Sequence, residues 1–281
     1  NILLEHYLTY DFSLKRNNFS LLGGFSYQKF KATATYLGVR NFVDQGAGIT
    51  PEINPGYSGD VFIPQPGTAQ ENELQSYFGR VNYNFDKKYF FTASLRADGS
   101  TRFGDNNKYG YFPSVAVGWT ISKENFLKNL TVLNELKLRG SWGQTGNQEV
   151  PNKITKASYL LSQSAGYYLY DNLNLINGVT VVRTAYPDLK WETVEQSNIG
   201  LDFSLLKNKL YGTLEYYNKS TKDAILNIPS PALSPTTMIW RNSEGTIVNK
   251  GIEFSLGYEV IKNENFTRCE LIYIRSMRLD E

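Results

Sequence analysis

The chain has 281 residues, 41% of them hydrophobic and 14% aromatic, with 20 Tyr and 16 Phe, a composition that excludes a disordered polypeptide. A net charge of +2 leaves no broad footprint for nucleic acid. One cysteine, Cys269, and one histidine, His6, argue against a disulfide framework, a multi-cysteine zinc site and histidine-based catalysis.

The opening stretch NILLEHYLTYDF lacks a basic leader, a cleavage site and an initiating Met, and reads as the inside of a longer chain. No apolar run approaches the ~18 residues that a transmembrane helix requires. Membrane-crossing β-strands are not excluded by this, because they alternate apolar and polar residues and look hydrophilic on average. Such alternation recurs along the chain. Weak versions lie near residues 6–13 and 19–29. In the first clear one, Tyr77, Gly79, Val81, Tyr83 and Phe85 alternate with Arg80, Asn82 and Asn84. Next, Tyr89, Phe91, Ala93, Leu95 and Ala97 oppose Thr92, Ser94, Arg96 and Asp98. Val115, Val117, Trp119 and Ile121 oppose Ser114, Ala116, Gly118 and Thr120. A compact stretch at 122–132 predicts one or two helical turns with Ser122 as N-cap.

Further on, Leu136, Leu138 and Trp142 oppose Lys137, Arg139 and Ser141, and Ile199, Leu201, Phe203 and Leu205 oppose Asn198, Gly200, Asp202 and Ser204. A weak strand near 210–220 follows. Ile252, Phe254, Leu256, Tyr258 and Val260 then oppose Glu253, Ser255, Gly257 and Glu259. Nine strands emerge, with a tenth less regular one at 266–275. The connections alternate in length: KRNN, DKK, KNK and NEN are short, whereas 31–74, 147–191 and 226–245 are long. Short turns at one end and long loops at the other describe an all-β, antiparallel, up-and-down transmembrane barrel. Aromatic residues near strand ends (Phe85, Tyr89, Phe91, Tyr111, Phe112, Tyr216 and Tyr217) are placed for an interfacial girdle. The alternative is a soluble, carbohydrate-binding β-sandwich, which also alternates apolar and polar residues but need not gather its long loops at one end.

Few residues invite a chemical role. Asp105, Asn106 and Asn107 form an acidic-amide turn whose spacing fits no calcium loop. Glu192 and Glu195 lie three apart in an extended segment, so they point to opposite faces and cannot act as an acid/base pair. GQTGN and GYSGD are loop glycines without the helix and lysine of a phosphate cradle. No catalytic, metal or cofactor site is therefore expected. The long loops carry more promise. Tyr57, Tyr159, Tyr167, Tyr168 and Tyr170 offer flat apolar rings with hydroxyl tips, suited to contact with sugars or peptides or to packing a lid.

Three runs, RADGSTRFGDNNKYGYFPSVAVGWTISKENFL, LKLRGSWGQTGN and YPDLKWETVEQSNIGLDFSLLKNKLYGTLEYYNKSTKDAIL, resemble the SusC/RagA family of TonB-linked outer-membrane proteins, collinearly over about residues 1–265. The resemblance implies a 22-stranded barrel with an N-terminal plug, typically in Bacteroidetes, that imports oligosaccharides or peptides and breaks no bond. It further implies a SusD-like surface lipoprotein over the mouth, energy delivered by the TonB–ExbB–ExbD complex through the plug, and no nucleic-acid partner. On that reading residues 1–265 supply about ten of the 22 strands, and plug and signal peptide lie outside the chain. Residues 266–281, ending in RCELIYIRSMRLDE from Arg268 on, diverge from the family, as a frameshift or truncation near Arg268 would make them. Arg80, Arg96, Asp98, Arg139 and Asp202 are expected to face the lumen, and Phe91, Leu95, Leu138 and Phe203 the lipid.

Overall fold

The computed structural model describes residues 1–39, 62–170, 174–263 and 266–278. Ten long strands form one antiparallel sheet. They are β1 (Ile2–Leu14), β2 (Asn17–Val39), β3 (Phe62–Phe85), β4 (Tyr89–Ser100), β5 (Tyr109–Thr120), β6 (Leu133–Asn147), β9 (Glu192–Leu205), β10 (Leu210–Lys222), β13 (Ile247–Asn263) and β14 (Phe266–Arg278). Two small hairpins complete the set, β7 (Ser158–Tyr170) with β8 (Asn174–Arg183), and β11 (Ile225–Pro229) with β12 (Met238–Asn242). Neighbours in the large sheet are neighbours in sequence, except where the hairpins intervene between β6 and β9 and between β10 and β13. This is an up-and-down meander. Among the described residues β1 and β14 each pair on one side only, so the sheet is an open section of barrel wall.

Period-2 alternation sets the two faces, because successive side chains leave a strand in opposite directions. Register then carries each face across the sheet. Phe91 pairs with Tyr83 on one side and Val117 on the other, and Leu138 pairs with Trp119 and Leu201. Thr92 likewise pairs with Asn82 and Ala116, and Lys137 with Thr120 and Asp202. Across these strands one face is thus predominantly apolar and the other predominantly polar.

Exposure runs opposite to that of a water-soluble protein. Val117 is 54% exposed and Leu95 54%, while Ser76 on the polar face is 1% exposed. No second sheet covers the apolar face among the described residues, which rules out the sandwich alternative. Aromatic rings border that face. Phe12 stacks on Phe19 at 4.8 Å, Phe19 lies 4.9 Å from Tyr83, and Tyr89 stacks on Trp119 at 6.4 Å, all near the short turns. Toward the other end Phe25 lies 5.2 Å from Tyr77. Along β5 the apolar face runs from Tyr109 to Trp119. Ten residues at about 3.3 Å each, tilted by about 40°, give a band about 25 Å tall, matching an outer-membrane hydrocarbon core.

Several sequence expectations need correction. Phe112 and Tyr217 do not join the girdle: register places both on the polar face, where Phe112 is buried and Tyr217 crosses Gly251. Both ends of the expected loop at 31–74 are strand, since β2 runs on to Val39 and β3 starts at Phe62; the part between them lies outside the described residues. The long connections at 147–191 and 226–245 each fold back as a hairpin. The stretch 122–132 forms two 3-10 turns, Ile121–Lys123 and Asn125–Leu127; Thr120 precedes the first, and Ser122 lies inside it rather than capping it. The irregular tenth segment does pair, as β14.

Candidate functional site

The long-loop end is built around a small core of its own. Phe103, Phe112, Val150, Ile154, Leu189 and Trp191 are buried together, with Trp191 stacked on Phe103 at 4.6 Å and edge-on to Phe112 at 5.6 Å. Polar ties lock the contributing loops. Asn106 donates to the Asp188 carboxylate at 3.1 Å, Asn107 donates to the Asp188 carbonyl at 3.0 Å, and Arg102 donates to Asn152 and to the Gln148 carbonyl. Gly104 is required there, because a Cβ would stand 2.2 Å from the Pro187 carbonyl oxygen. The acidic-amide turn 105–107 is therefore a fastening between loops. Glu192 and Glu195 sit on opposite faces as expected; Glu192 accepts from Asn147 and Glu195 from Trp142.

Below this core the polar face holds a concavity of about 680 Å³, lined in part by Ser94, Arg96, Ser114, Gln148, Gln196 and Asn198. Two charge clusters punctuate the face. Arg96 donates from Nε to Asp98 at 2.7 Å and from a terminal nitrogen to the Ser76 hydroxyl at 3.0 Å. Arg139 on β6 reaches across β9, meeting Asp202 at 3.2 Å and Glu215 on β10 at 2.5 Å. Gly200 makes that reach feasible, since a Cβ there would lie 2.7 Å from the guanidinium carbon. Asn198 adds a hydrogen bond to Glu215 at 2.9 Å, and Gln196 donates to Asn198 at 3.1 Å.

Of the ten residues singled out from sequence, five share this face. Arg96 and Asp98 pair with each other, Arg139 and Asp202 pair with each other, and Arg80 stands exposed opposite Ser94. Tyr159 is exposed on β7. Tyr167, Tyr168 and Tyr170 belong to the same strand rather than to an irregular loop, but their side chains, like Tyr57 as a whole, lie outside the described residues. Sequence reasoning missed Glu215, Ser76 and the loop core. Alternation does put Glu215 on the polar face, but only cross-strand register shows that Arg139 reaches it.

An apolar exposed face, aromatic borders and a polar opposite face define a class: the wall of a transmembrane β-barrel of an outer membrane. Residues 3–277 match the family described as TonB dependent receptor-like, beta-barrel, and the chain belongs to it. Among curated proteins, it is 39% identical over 269 residues to TonB-dependent receptor P3 of Formosa agariphila, covering 95% of this chain and 26% of that protein. It is 33% identical over 273 residues to TonB-dependent receptor SusC of Bacteroides thetaiotaomicron, again covering 95% and 26%. The chain thus spans about a quarter of the length of these relatives. A solved structure of the RagAB peptide importer in its open-open state superposes with a TM-score of 0.75 at 25% identity, covering 99% of this chain and 30% of that one.

Proposed function

We propose that the chain forms part of the wall of a TonB-energised importer that carries oligosaccharides or peptides across the outer membrane, in concert with a SusD-like surface lipoprotein. The observation that carries this reading is the concavity of about 680 Å³ on the sheet's polar face, roofed by the long-loop core. It sets hydroxyls and amides beside the rings of Phe112, Trp142 and Trp191, and its two charges, Arg96 and Asp98, pair with each other. Such a wall offers hydrogen bonds to a hydrated oligomer without a fixed charge to trap it. Arg80, Arg96, Asp98, Arg139 and Asp202 face the lumen, and Tyr57, Tyr159, Tyr167, Tyr168 and Tyr170 belong to the mouth, where substrate and the lipoprotein meet. The family is one of transporters and receptors, and the wall's role is to bind and to pass substrate on. We further propose that residues 266–281 form a segment divergent from the rest of the wall.

Uptake by intact cells tests this. Deleting the gene is expected to abolish growth on, and accumulation of, one labelled class from a panel of oligosaccharides and peptides, and deleting TonB is expected to do the same. Uptake that continues without TonB would make the protein a passive pore and overturn the reading.

A further inference from the structure

The short-turn end of the sheet carries a feature that transport through the lumen does not use. Between β5 and β6 the chain runs through its two 3-10 turns as a strap along the rim. Glu124 fixes this strap to the apolar face, accepting from the Tyr89 hydroxyl at 2.6 Å and the Trp119 indole at 3.2 Å. Lys123 ties it to the β3–β4 turn through the Lys87 carbonyl at 3.0 Å, and Val132 ties it to the β9–β10 turn by accepting from the Leu206 amide at 2.9 Å. Three connections thereby form one continuous rim.

Two kinds of side chain project from that rim. Phe126 is 70% exposed, Leu130 54%, Val132 55% and Leu206 48%. Lys87, Lys128, Lys207 and Lys209 are exposed as well, and among the described residues none has a carboxylate within ion-pair distance. The carboxylates of these turns are already engaged, Asp86 by Arg16 and Glu124 by Lys88. Apolar side chains beside unpaired lysines, at the lower border of a lipid-facing band, suit one environment. Rings and aliphatic chains enter the acyl boundary, while ammonium groups stay at the level of the headgroup phosphates. Short turns lie on the periplasmic side of outer-membrane barrels, where the leaflet is phospholipid.

We infer that the rim formed by residues 121–133 with the turns at 86–88 and 206–209 is a binding surface for anionic phospholipid of the periplasmic leaflet. It inserts Phe126 and Leu130 and holds phosphates with Lys128, Lys207 and Lys209. The apolar face above it is continuous with the rim, so the same bilayer covers both.

The test uses the protein in the full length in which it is made, reconstituted in nanodiscs of equal phosphatidylglycerol and phosphatidylcholine. Lipid retained after detergent exchange is expected to be enriched in phosphatidylglycerol. The variant Lys128→Gln/Lys207→Gln/Lys209→Gln is expected to lose most of that enrichment, each lysine near a charged surface being worth about fivefold at low salt. A spin label at position 126, read in the same discs, is expected to be accessible to oxygen and shielded from aqueous nickel chelate. Equal enrichment in variant and native protein would overturn the proposal. So would a nickel-accessible label at 126, which would turn the rim toward the periplasm and a soluble partner there.

Discussion

Arg139 shows how single residues organise the inner face. Its guanidinium joins three strands by meeting Asp202 and Glu215, and it does so over a position that only glycine leaves open. Gly200→Ala is expected to displace the guanidinium and to leave Glu215 with Asn198 alone. All three charged side chains remain partly exposed, so screening limits the loss to about 1 kcal/mol. The midpoint of the heat-modifiability transition in detergent would report it. A larger loss is expected in the loop core, where Trp191→Ala removes the ring that Phe103 and Phe112 both pack against. Truncating a buried Trp costs about 3–5 kcal/mol, enough to loosen the loops while the sheet stays paired. Proteolysis should then cut first within 101–108, with the strands protected. Glu124 brings a pH dependence. Hydrogen bonds from Tyr89 and Trp119 hold its carboxyl below the usual carboxylate range. A lowered folded-state value means that its contribution is complete above about pH 4.3, the unfolded value, and disappears as pH falls through the lower folded value. Trp119 fluorescence is expected to stay flat from neutral pH to about 5 and to change only under stronger acid; a transition near neutrality would contradict this anchoring.

At the scale of the strand, alternation decides what a substitution does. Leu95 and Ser94 are neighbours in β4, but one leaves toward the apolar face and the other meets the Ser114 hydroxyl on the polar face. Leu95→Arg should cost up to about 2–4 kcal/mol, depending on depth in the bilayer, whereas Ser94→Arg enters a hydrated lumen and should cost far less. The folded fraction recovered in outer-membrane preparations separates the two. The same alternation explains which elements could be read from sequence. Each wall strand meets lipid on one side and water on the other, so Tyr77–Phe85 or Val115–Trp119 writes its environment into every second residue. The loops obey no such period. Their core draws Phe103, Ile154, Leu189 and Trp191 from distant connections, and β7–β8 and β11–β12 pair locally inside stretches that composition marks as loop. Phe112 misled for the same reason: an aromatic at a strand end suits a girdle, but Trp191 and the close approaches at Gly110 and Gly146 hold it inside. That the charged residues share the polar face was legible singly, because alternation assigns each a side. Their pairing across β6, β9 and β10 depends on register, which a single strand's sequence does not contain.

For the molecule as a whole, the sheet's two environments govern everything else. One face needs lipid, the other lines a polar space, and among the described residues β1 and β14 each leave one edge unpaired. Lipid does not tolerate unpaired backbone, so the wall is stable in a membrane only when further strands complete it. β14 fits its seat less well than the others. Register places Ile272 and Ile274 opposite Gly257 and Ser255 on the polar face, and Arg275 opposite Phe254 on the apolar one. Replacing Arg275 with Leu should therefore stabilise the sheet in detergent if β14 keeps this register, and leave it unchanged if the segment detaches. The central claim, apolar side outward and polar side inward, is tested most directly by spin labels placed singly along β4 of the full-length protein in bilayers. Labels at 91, 93 and 95 should be accessible to oxygen dissolved in lipid, and labels at 92, 94 and 96 to aqueous nickel chelate. Lipid-accessible labels at 94 and 96, or no alternation along the strand, would contradict the account.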